Sequence, residues 1–234
     1  MKKSLVLVVF VFLLNACNEL QQVVNQFPNG NGLSNEQIAS GLRQALSFGI
    51  DKRVSKLTQK DGFFKNKLVK ILLPQELQKV DKTLRDIGLG NLADEGLKVL
   101  NRAAEDAVKE ATPIFVDAVK GITFSDAKNI LLGNDNAATQ YLKVRTNTAL
   151  YTKFNPVIKQ SLDKVGATQV WTGIIQKYNS LPLTSDVNPN LPDYITQEAL
   201  KGVYTMIAVE EKQIRTKVSS RTTDLLRRVF ALQD

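Results

Sequence analysis

The feature that most constrains the fold is a helical repeat of small apolar residues near the middle of the chain. Small or apolar residues recur there at strict three- and four-residue intervals: Leu97, Leu100, Ala104, Ala107, Ala111, Ile114, Ala118 and Gly121. This spacing places them on one face of an α-helix. Because most of them are small, the pattern predicts two helix backbones packed closely along this seam. Pro113 predicts a kink near Lys109, or a new helix start with Thr112 as its cap.

The rest of the chain beyond residue 34 also follows helical periodicity. Ser34 and Gln37 have the spacing of a capping box. Further helices are predicted over 35–59, 65–73, 75–87, 125–132 with Ser125 as its cap, 137–151, 156–165, 167–178 and 194–232. No segment alternates as a β-strand does. The predicted fold class is therefore all-α, a single multi-helix bundle domain with long antiparallel helices over residues 34–234.

The N-terminus has the pattern of an export signal. Lys2 and Lys3 precede an apolar stretch from Leu5 to Leu14, which is too short to span a bilayer of about 30 Å. The stretch ends in Leu14-Asn15-Ala16-Cys17, which resembles the lipobox of bacterial lipoproteins, where the cysteine is lipidated and the chain is cut before it. We predict a lipoprotein signal peptide over residues 1–16 and lipidation of Cys17; the alternative is a plain signal peptide with an incidental cysteine.

A lipidated Cys17 would anchor the protein stably, because each buried methylene contributes about 0.8 kcal/mol and lipoproteins carry more than one acyl chain. Residues 17–33 are polar and contain Pro28, Gly30 and Gly32, so they are predicted to form a flexible tether. Surface-exported lipoproteins of some bacteria carry an acidic patch after the cysteine, whereas only Glu19 is present here. The predicted location is the bacterial cell envelope, facing the periplasm, with the outer membrane favoured over the inner.

The composition excludes several kinds of catalysis. The chain has no histidine and one cysteine, which removes Ser-His-Asp and Cys-His catalysis and imidazole metal ligands. Ser-x-x-Lys occurs at Ser125 and Ser161, but the Ser-Asp-Asn and Lys-Thr-Gly motifs that accompany it in β-lactamases are absent. No cofactor and no metal are predicted, and an enzyme that uses buried carboxylates is only the third hypothesis.

Two pairs of residues are candidates for a polar ligand site. Arg102 and Glu105 lie three positions apart beside the small-residue seam, and Tyr141 and Arg145 lie four apart on a later helix. On an exposed helix face such a pair contributes a few tenths of a kcal/mol. If buried, the same groups would be costly to desolvate, which would favour a role in register or in holding a ligand.

The C-terminal part of the chain is predicted to be a basic helix whose middle, residues 210–224, is largely exposed or bridges to something else. Residues 210–228 contain six basic and three acidic residues and few apolar ones, a net charge of +3. A solvated helix face is one interpretation, and a partner surface is the other. The candidate partner residues are Lys212, Arg215, Lys217, Arg221, Arg227 and Arg228. The whole chain has a net charge of +8, which in an exported protein favours anionic headgroups or acidic envelope polymers over nucleic acid.

Four stretches carry a resemblance to a known family. They are GLRQALSFGIDKRVSKLTQKDGFFKN, KILLPQEL, LGNLADEGLKVLNRAAEDAVKEATPIF and ITFSDAKNILLGNDNAATQYLKVRTNTAL. Together they resemble the bacterial envelope family called domain of unknown function 4197, over about residues 33–232. The resemblance implies an all-helical exported domain, often lipid-anchored, with no established activity, cofactor or catalytic residue.

Two functional hypotheses follow from these observations. The first is a non-enzymatic envelope lipoprotein that acts as an interaction or assembly module, held to the membrane by its N-terminal lipid and presenting its C-terminal basic helix to an envelope protein. The alternative is a carrier that holds a lipid or small amphiphile in a helical cavity near Arg102, Glu105, Tyr141 and Arg145. The oligomeric state is left open.

Overall fold

The computed structural model describes residues 32–180, 182 and 186–233, and these residues form α-helices, short 3-10 turns and loops without a β-strand. The all-α prediction is therefore confirmed. The predicted signal peptide, Cys17 and most of the predicted tether lie outside the described residues. None of the described helices is both long enough and apolar enough to cross a membrane.

The helices are numbered here in chain order. They are α1 (Asn35–Leu57), α2 (Gln78–Asp86), α3 (Gly90–Val108), α4 (Ala111–Lys120), α5 (Phe124–Leu131), α6 (Ala137–Asp163), α7 (Ala167–Asn179), α8 (Leu191–Thr216) and α9 (Asp224–Phe230). Two 3-10 turns, Gln75–Leu77 and Val218–Ser220, precede α2 and α9. The capping box that starts α1 is confirmed, because the Ser34 hydroxyl accepts from Gln37 N and the Gln37 side chain accepts from Ser34 N.

The centre of the fold is the antiparallel pair α6 and α8. Glu211 bonds to Ala138 at one end of the pair, Tyr204 to Thr146 in the middle, and Thr196 to Asn155 further along. Helix α3 packs on α6, and α1 packs on α8, α9, α4 and α5. The core between these helices is filled by fully buried large side chains such as Phe63, Phe115 and Phe154.

The small-residue seam is confirmed in its first half and shifts in its second. Ala104, Ala107 and Ala111 are fully buried, but the helix ends at Val108 and α4 begins at Ala111. The predicted break near Lys109 is thus confirmed, although Thr112 is not the cap. The break rotates the buried face, so Phe115 and Val119 are buried in the core, while Ile114 and Ala118 are only partly buried against it.

Pro156 does not interrupt its helix, contrary to prediction. Helix α6 is continuous across it, although an internal proline costs about 3 kcal/mol through the lost hydrogen bond. Leu150, Phe154, Ile158 and Leu162 continue one fully buried stripe on both sides of the proline. Each buried side chain of this kind contributes about 1.5–3 kcal/mol, so the packing of the stripe outweighs the proline.

Three further boundaries differ from prediction. Residues 65–73 form turns and extended chain where a helix was expected. Helix α5 is capped by Thr123 and Asp126, not by Ser125, because the Thr123 hydroxyl accepts from Asp126 N. The C-terminal helix begins at Leu191 and ends at Thr216, after which the chain reverses so that α9 packs on α1.

Candidate functional site

The longest irregular stretch among the described residues joins α1 to the first 3-10 turn and is called the 58–74 segment. Its first half contains a tight turn at Asp61 and Gly62. Asp61 has a left-handed backbone with φ of 69°, a conformation that aspartate and asparagine tolerate better than most residues. A Cβ at Gly62 would lie 2.7 Å from the Leu57 carbonyl oxygen, so this close approach requires glycine.

The first half of the 58–74 segment is held by Arg102 and Glu105 of α3. Glu105 is 3% exposed, and its carboxylate accepts from Phe63 N at 3.1 Å, Phe64 N at 3.4 Å and Asp61 N at 3.3 Å. The Arg102 guanidinium donates to Glu105 and, at 2.6 Å, to the Asp61 carboxylate. Both oxygens of Glu105 are occupied by these donors, which favours a structural role for the pair over a ligand site.

The second half of the 58–74 segment is held by Asn101 of the same helix. Its side chain is fully buried; it accepts from Ile71 N at 2.8 Å and donates to Ile71 O at 2.9 Å. A buried side-chain amide that bonds both the N–H and the carbonyl of one residue holds that residue in an extended conformation, much as a neighbouring β-strand would. Sequence reasoning missed Asn101, and the available signal was a polar residue one position from the apolar seam at Leu100.

Helix α8 supports the 58–74 segment from the other side. Phe63 is fully buried and packs so closely on Gly202 that a Cβ there would lie 2.7 Å from Phe63 Cε1. The Tyr194 hydroxyl donates to Leu72 O at 2.7 Å. The segment is therefore fixed at several points along its length although it has no regular secondary structure.

The outer face of the 58–74 segment carries exposed leucines and lysines. Leu68 is 63% exposed and Leu72 is 47% exposed, while Lys65 and Lys67 are exposed beside them. The Lys70 ammonium lies 4.3 Å from the centroid of the Phe64 ring. Two surface grooves of about 450 and 460 Å³ border Leu72, one against α8 and the other against α2.

Charge pairing keeps the Asp61 carboxylate, at the tight turn of this segment, ionised. A hydrogen bond from Lys65, together with the Arg102 guanidinium, holds the pKa of Asp61 below its usual value even though partial burial opposes this. The Lys65 ammonium lies 2.9 Å from the Asp61 carboxylate. Asp61 is thus already paired with two cations, whereas Lys67 and Leu68 are exposed beside it.

Tyr141 and Arg145 lie in a different part of the molecule from Arg102 and Glu105. The Arg145 guanidinium lies 5.4 Å from the centroid of the Tyr141 ring. Burial, reinforced by nearby Asp126, raises the pKa of the Tyr141 hydroxyl. The pair borders an open groove of about 430 Å³ between α4 and α6. The structure therefore does not bring the four candidate ligand residues into one site.

The C-terminal basic stretch is partly buried, which corrects the prediction of an exposed helix. Glu211 accepts from the N–H groups of Ala138 and Thr139 at 2.8 Å each, and so caps the start of α6 from outside that helix. Arg215 bonds to Glu211 at 2.9 Å and donates to the carbonyls of Ile130 and Leu131 at the end of α5. These buried groups join α5, α6 and α8.

A second buried pair lies on the opposite side of α8. Glu210 bonds to Arg53 and to Lys52 of α1, so the adjacent Glu210 and Glu211 face different helices and do not form a paired-carboxylate site. Glu210, Arg53, Glu211 and Arg215 are called the α8 network below. Among the described residues, no cluster of three acidic or cysteine side chains could hold a metal ion.

Two of the six candidate partner residues are not available at the surface. Arg215 is 9% exposed and Arg221 is 2% exposed; Arg221 donates to the carbonyls of Ile214 and Arg215 at the end of α8. Their assignment to an exposed partner surface was wrong, because helix ends supply acceptors that stabilise buried guanidinium groups. The remaining four are exposed, and their partner binding stays a prediction: Lys212, Lys217, Arg227 and Arg228.

The described residues form an all-helical domain in which the 58–74 segment is held against the helices by side-chain hydrogen bonds. The sequence matches the family described as Protein of unknown function (DUF4197) over residues 32–231. The chain belongs to this family. No curated protein and no solved structure matches it.

Proposed function

We propose that this protein is a lipid-anchored lipoprotein of the bacterial envelope that acts by binding rather than by catalysis, with the 58–74 segment as its recognition surface. The observation that carries the proposal is the way α3 and α8 hold this segment. Loops longer than about 12–15 residues without secondary structure are uncommon in compact domains and are usually functional. Here Asn101, Arg102 and Glu105 bond its backbone and its turn, which leaves its outer side chains presented in a fixed arrangement.

The chemistry of the other polar groups supports binding over catalysis. The carboxylates of Glu105, Glu210 and Glu211 are each engaged by cations or backbone N–H groups. Groups held in this way stabilise the fold, whereas a general base or nucleophile needs a side chain that can reach a substrate. The lipid anchor itself is proposed from the motif around Cys17, which lies outside the described residues.

The carrier hypothesis receives less support. The grooves found among the described residues are open to solvent, and the space between α3, α6 and α8 is filled by side chains such as Ala104 and Leu142. A lipid carrier requires an enclosed apolar cavity that buries most of its ligand.

The first experiment tests the anchor. The full chain is expressed in bacteria that are fed a labelled fatty acid, beside a Cys17→Ser variant. We expect label on the wild-type protein, a mature mass that begins at Cys17, and recovery in the membrane fraction. The Cys17→Ser variant should carry no label. Wild-type protein that begins at Met1 or is unlabelled would contradict the proposed anchor.

A second measurement tests the recognition surface in the same cells. A photo-crosslinking residue replaces Leu72 in one strain and Val144 in another, because Val144 is 82% exposed on α6, away from the 58–74 segment. Crosslinked products at position 72 and none at position 144 are the expected result. Equal products at both positions would show that the 58–74 segment has no special role.

A further inference from the structure

The outer face of the 58–74 segment has the chemistry of a membrane-docking tip. We infer that Leu68 and the lysines around it bind the anionic phospholipid surface next to the anchor, with Leu68 at the level of the acyl boundary and the ammonium groups at the level of the phosphates. This inference rests on the proposed function, since it names what the recognition surface binds.

The tip is a fixed turn that projects one leucine outward. The Asn66 carbonyl accepts from Val69 N at 3.1 Å and from Lys70 N at 2.8 Å, and the Asn66 side chain accepts from Leu68 N at 3.1 Å. Val69 is buried beneath the turn, whereas Leu68 is 63% exposed. The turn therefore keeps its apolar tip in solvent without losing backbone hydrogen bonds.

The charge around the tip complements an anionic surface. Residues 60–70 contain four lysines and one aspartate, a net charge of +3 within a chain of net charge +8. The aspartate is Asp61, which already bonds to Arg102 and Lys65. A lysine near an anionic leaflet raises the binding affinity about fivefold. The aliphatic part of its side chain can lie along an apolar surface while its ammonium stays in the headgroup layer.

The composition of the tip favours lipid over a protein partner. Protein interfaces are enriched in exposed aromatic residues, methionine and arginine, and are depleted in lysine. The outermost residues here are lysines and leucines, Phe63 is buried, and Phe64 lies beneath the Lys70 ammonium. A leucine framed by lysines matches the amphipathic pattern that binds membrane interfaces.

Because the predicted anchor would hold the domain beside the bilayer, a weak contact between the tip and the lipid surface would be enough for docking. Fourteen residues, 18–31, lie between Cys17 and the described chain, and the predicted flexible tether of that length would have a reach of about 20 Å. An anchored domain is then held at a high effective concentration beside the bilayer, so that even a low intrinsic affinity would keep the tip in contact.

The test uses the chain from residue 18 onward, which lacks the thiol and any lipid. This chain retains every core residue, because the core is built from residues 33–232. It is sedimented with vesicles of phosphatidylethanolamine and phosphatidylglycerol, and separately with vesicles of phosphatidylethanolamine and phosphatidylcholine. We expect binding to the anionic vesicles that weakens with added salt, and at least tenfold weaker binding to the neutral ones.

Two variants and two matched controls locate the contact. Lys67→Gln should weaken binding about fivefold, and Leu68→Ser should weaken it roughly tenfold, through the lost burial of a leucine side chain. Lys120→Gln and Val144→Ser remove an exposed lysine and an exposed valine elsewhere, and should bind as the wild type does. Lys120 lies two residues before Ile122, whose carbonyl accepts from Arg43, and Arg43 lies about 21 Å along α1 from Leu57, where the helix meets the segment. Circular dichroism confirms that each variant is folded.

Each outcome decides the inference. Wild-type protein that binds neither kind of vesicle overturns it. In that case, a protein found in the photo-crosslinked product at position 72 would show that the segment binds a protein partner. It is also overturned if Lys120→Gln weakens binding while Lys67→Gln and Leu68→Ser do not. If the full chain carries no fatty-acid label, only the proposed lipid anchor is contradicted, because the vesicle test uses protein without lipid.

Discussion

Glu105 and Glu211 are both buried carboxylates that accept backbone N–H groups from another part of the chain and bond to an arginine on their own helix. Their surroundings differ. Glu211 joins the ends of regular helices, and its partner Arg215 is itself buried. Glu105 holds an irregular segment, and its partner Arg102 is partly exposed and shared with Asp61.

The different surroundings of Glu105 and Glu211 indicate different structural roles for the two carboxylates. In the α8 network every charge is matched by another charge or by a helix end, so the cluster fixes how α1, α5, α6 and α8 meet. At the 58–74 segment the same kind of bond fixes a loop whose other face remains in solvent. We therefore expect the α8 network to control global stability and Glu105 to control local order, and three predictions test this contrast.

The largest effect is expected for Glu211→Ala. It leaves the Arg215 guanidinium buried without its carboxylate and leaves two N–H groups of α6 without an acceptor. Breaking a buried pair in this way costs about 3–5 kcal/mol, measured as the free energy of unfolding in urea. Glu95→Ala is the control, because the Glu95 carboxylate is 67% exposed and pairs with Lys98 at the surface, and should cost less than about 1 kcal/mol. Equal losses in the two variants would argue against the role of the network.

A smaller and local effect is expected for Glu105→Ala. The N–H groups of Phe63 and Phe64 would lose their acceptor, which costs about 1–3 kcal/mol for buried groups. Hydrogen exchange of these two amides should accelerate while the amides of α6 and α8 stay protected, because the segment can open without the bundle. Exchange that accelerates equally throughout the chain would show that the 58–74 segment unfolds only with the whole domain.

The smallest effect is expected for Asp61→Asn, and it depends on pH. Asparagine tolerates the left-handed backbone at this position but removes the charge that Lys65 and Arg102 contact. The pKa of Asp61 is lowered from 3.8 in the folded protein, so its stabilisation is present above 3.8 and is lost as the pH falls through the folded pKa. The proteolysis rate of the 58–74 segment should therefore differ between wild type and variant at neutral pH and converge in acid. A difference that persists at low pH would mean that another group holds the turn.

Much of the fold could be predicted from helical periodicity and capping residues. The spacing from Leu97 onward, the capping box at Ser34 and the break near Lys109 depend on local chemistry, which sequence reasoning reads directly. The 65–73 stretch was predicted as helix because its apolar residues are closely spaced. Asn101 and Tyr194, distant in sequence, instead bond its backbone in a non-helical form.

The candidate site was predicted in part. The sequence identified Arg102 and Glu105 as unusual but could not show that the 58–74 segment would occupy them. Residues 210–224 were predicted to be largely exposed, or to bridge to something else, because they contain few large apolar residues, and Glu210, Glu211, Arg215 and Arg221 are buried. Charge alone does not determine exposure when opposite charges and helix ends lie within hydrogen-bonding distance.

The sequence by itself determined that this chain is built from α-helices, because periodicity and capping act over a few residues. The motif at Cys17 likewise predicts the lipid anchor from local sequence alone. Only the tertiary structure decided which polar residues are buried and that the 58–74 segment presents Leu68 and Lys67 to solvent. Those outcomes depend on bonds between residues from 30 to 157 positions apart, and such bonds form only when the helices have packed.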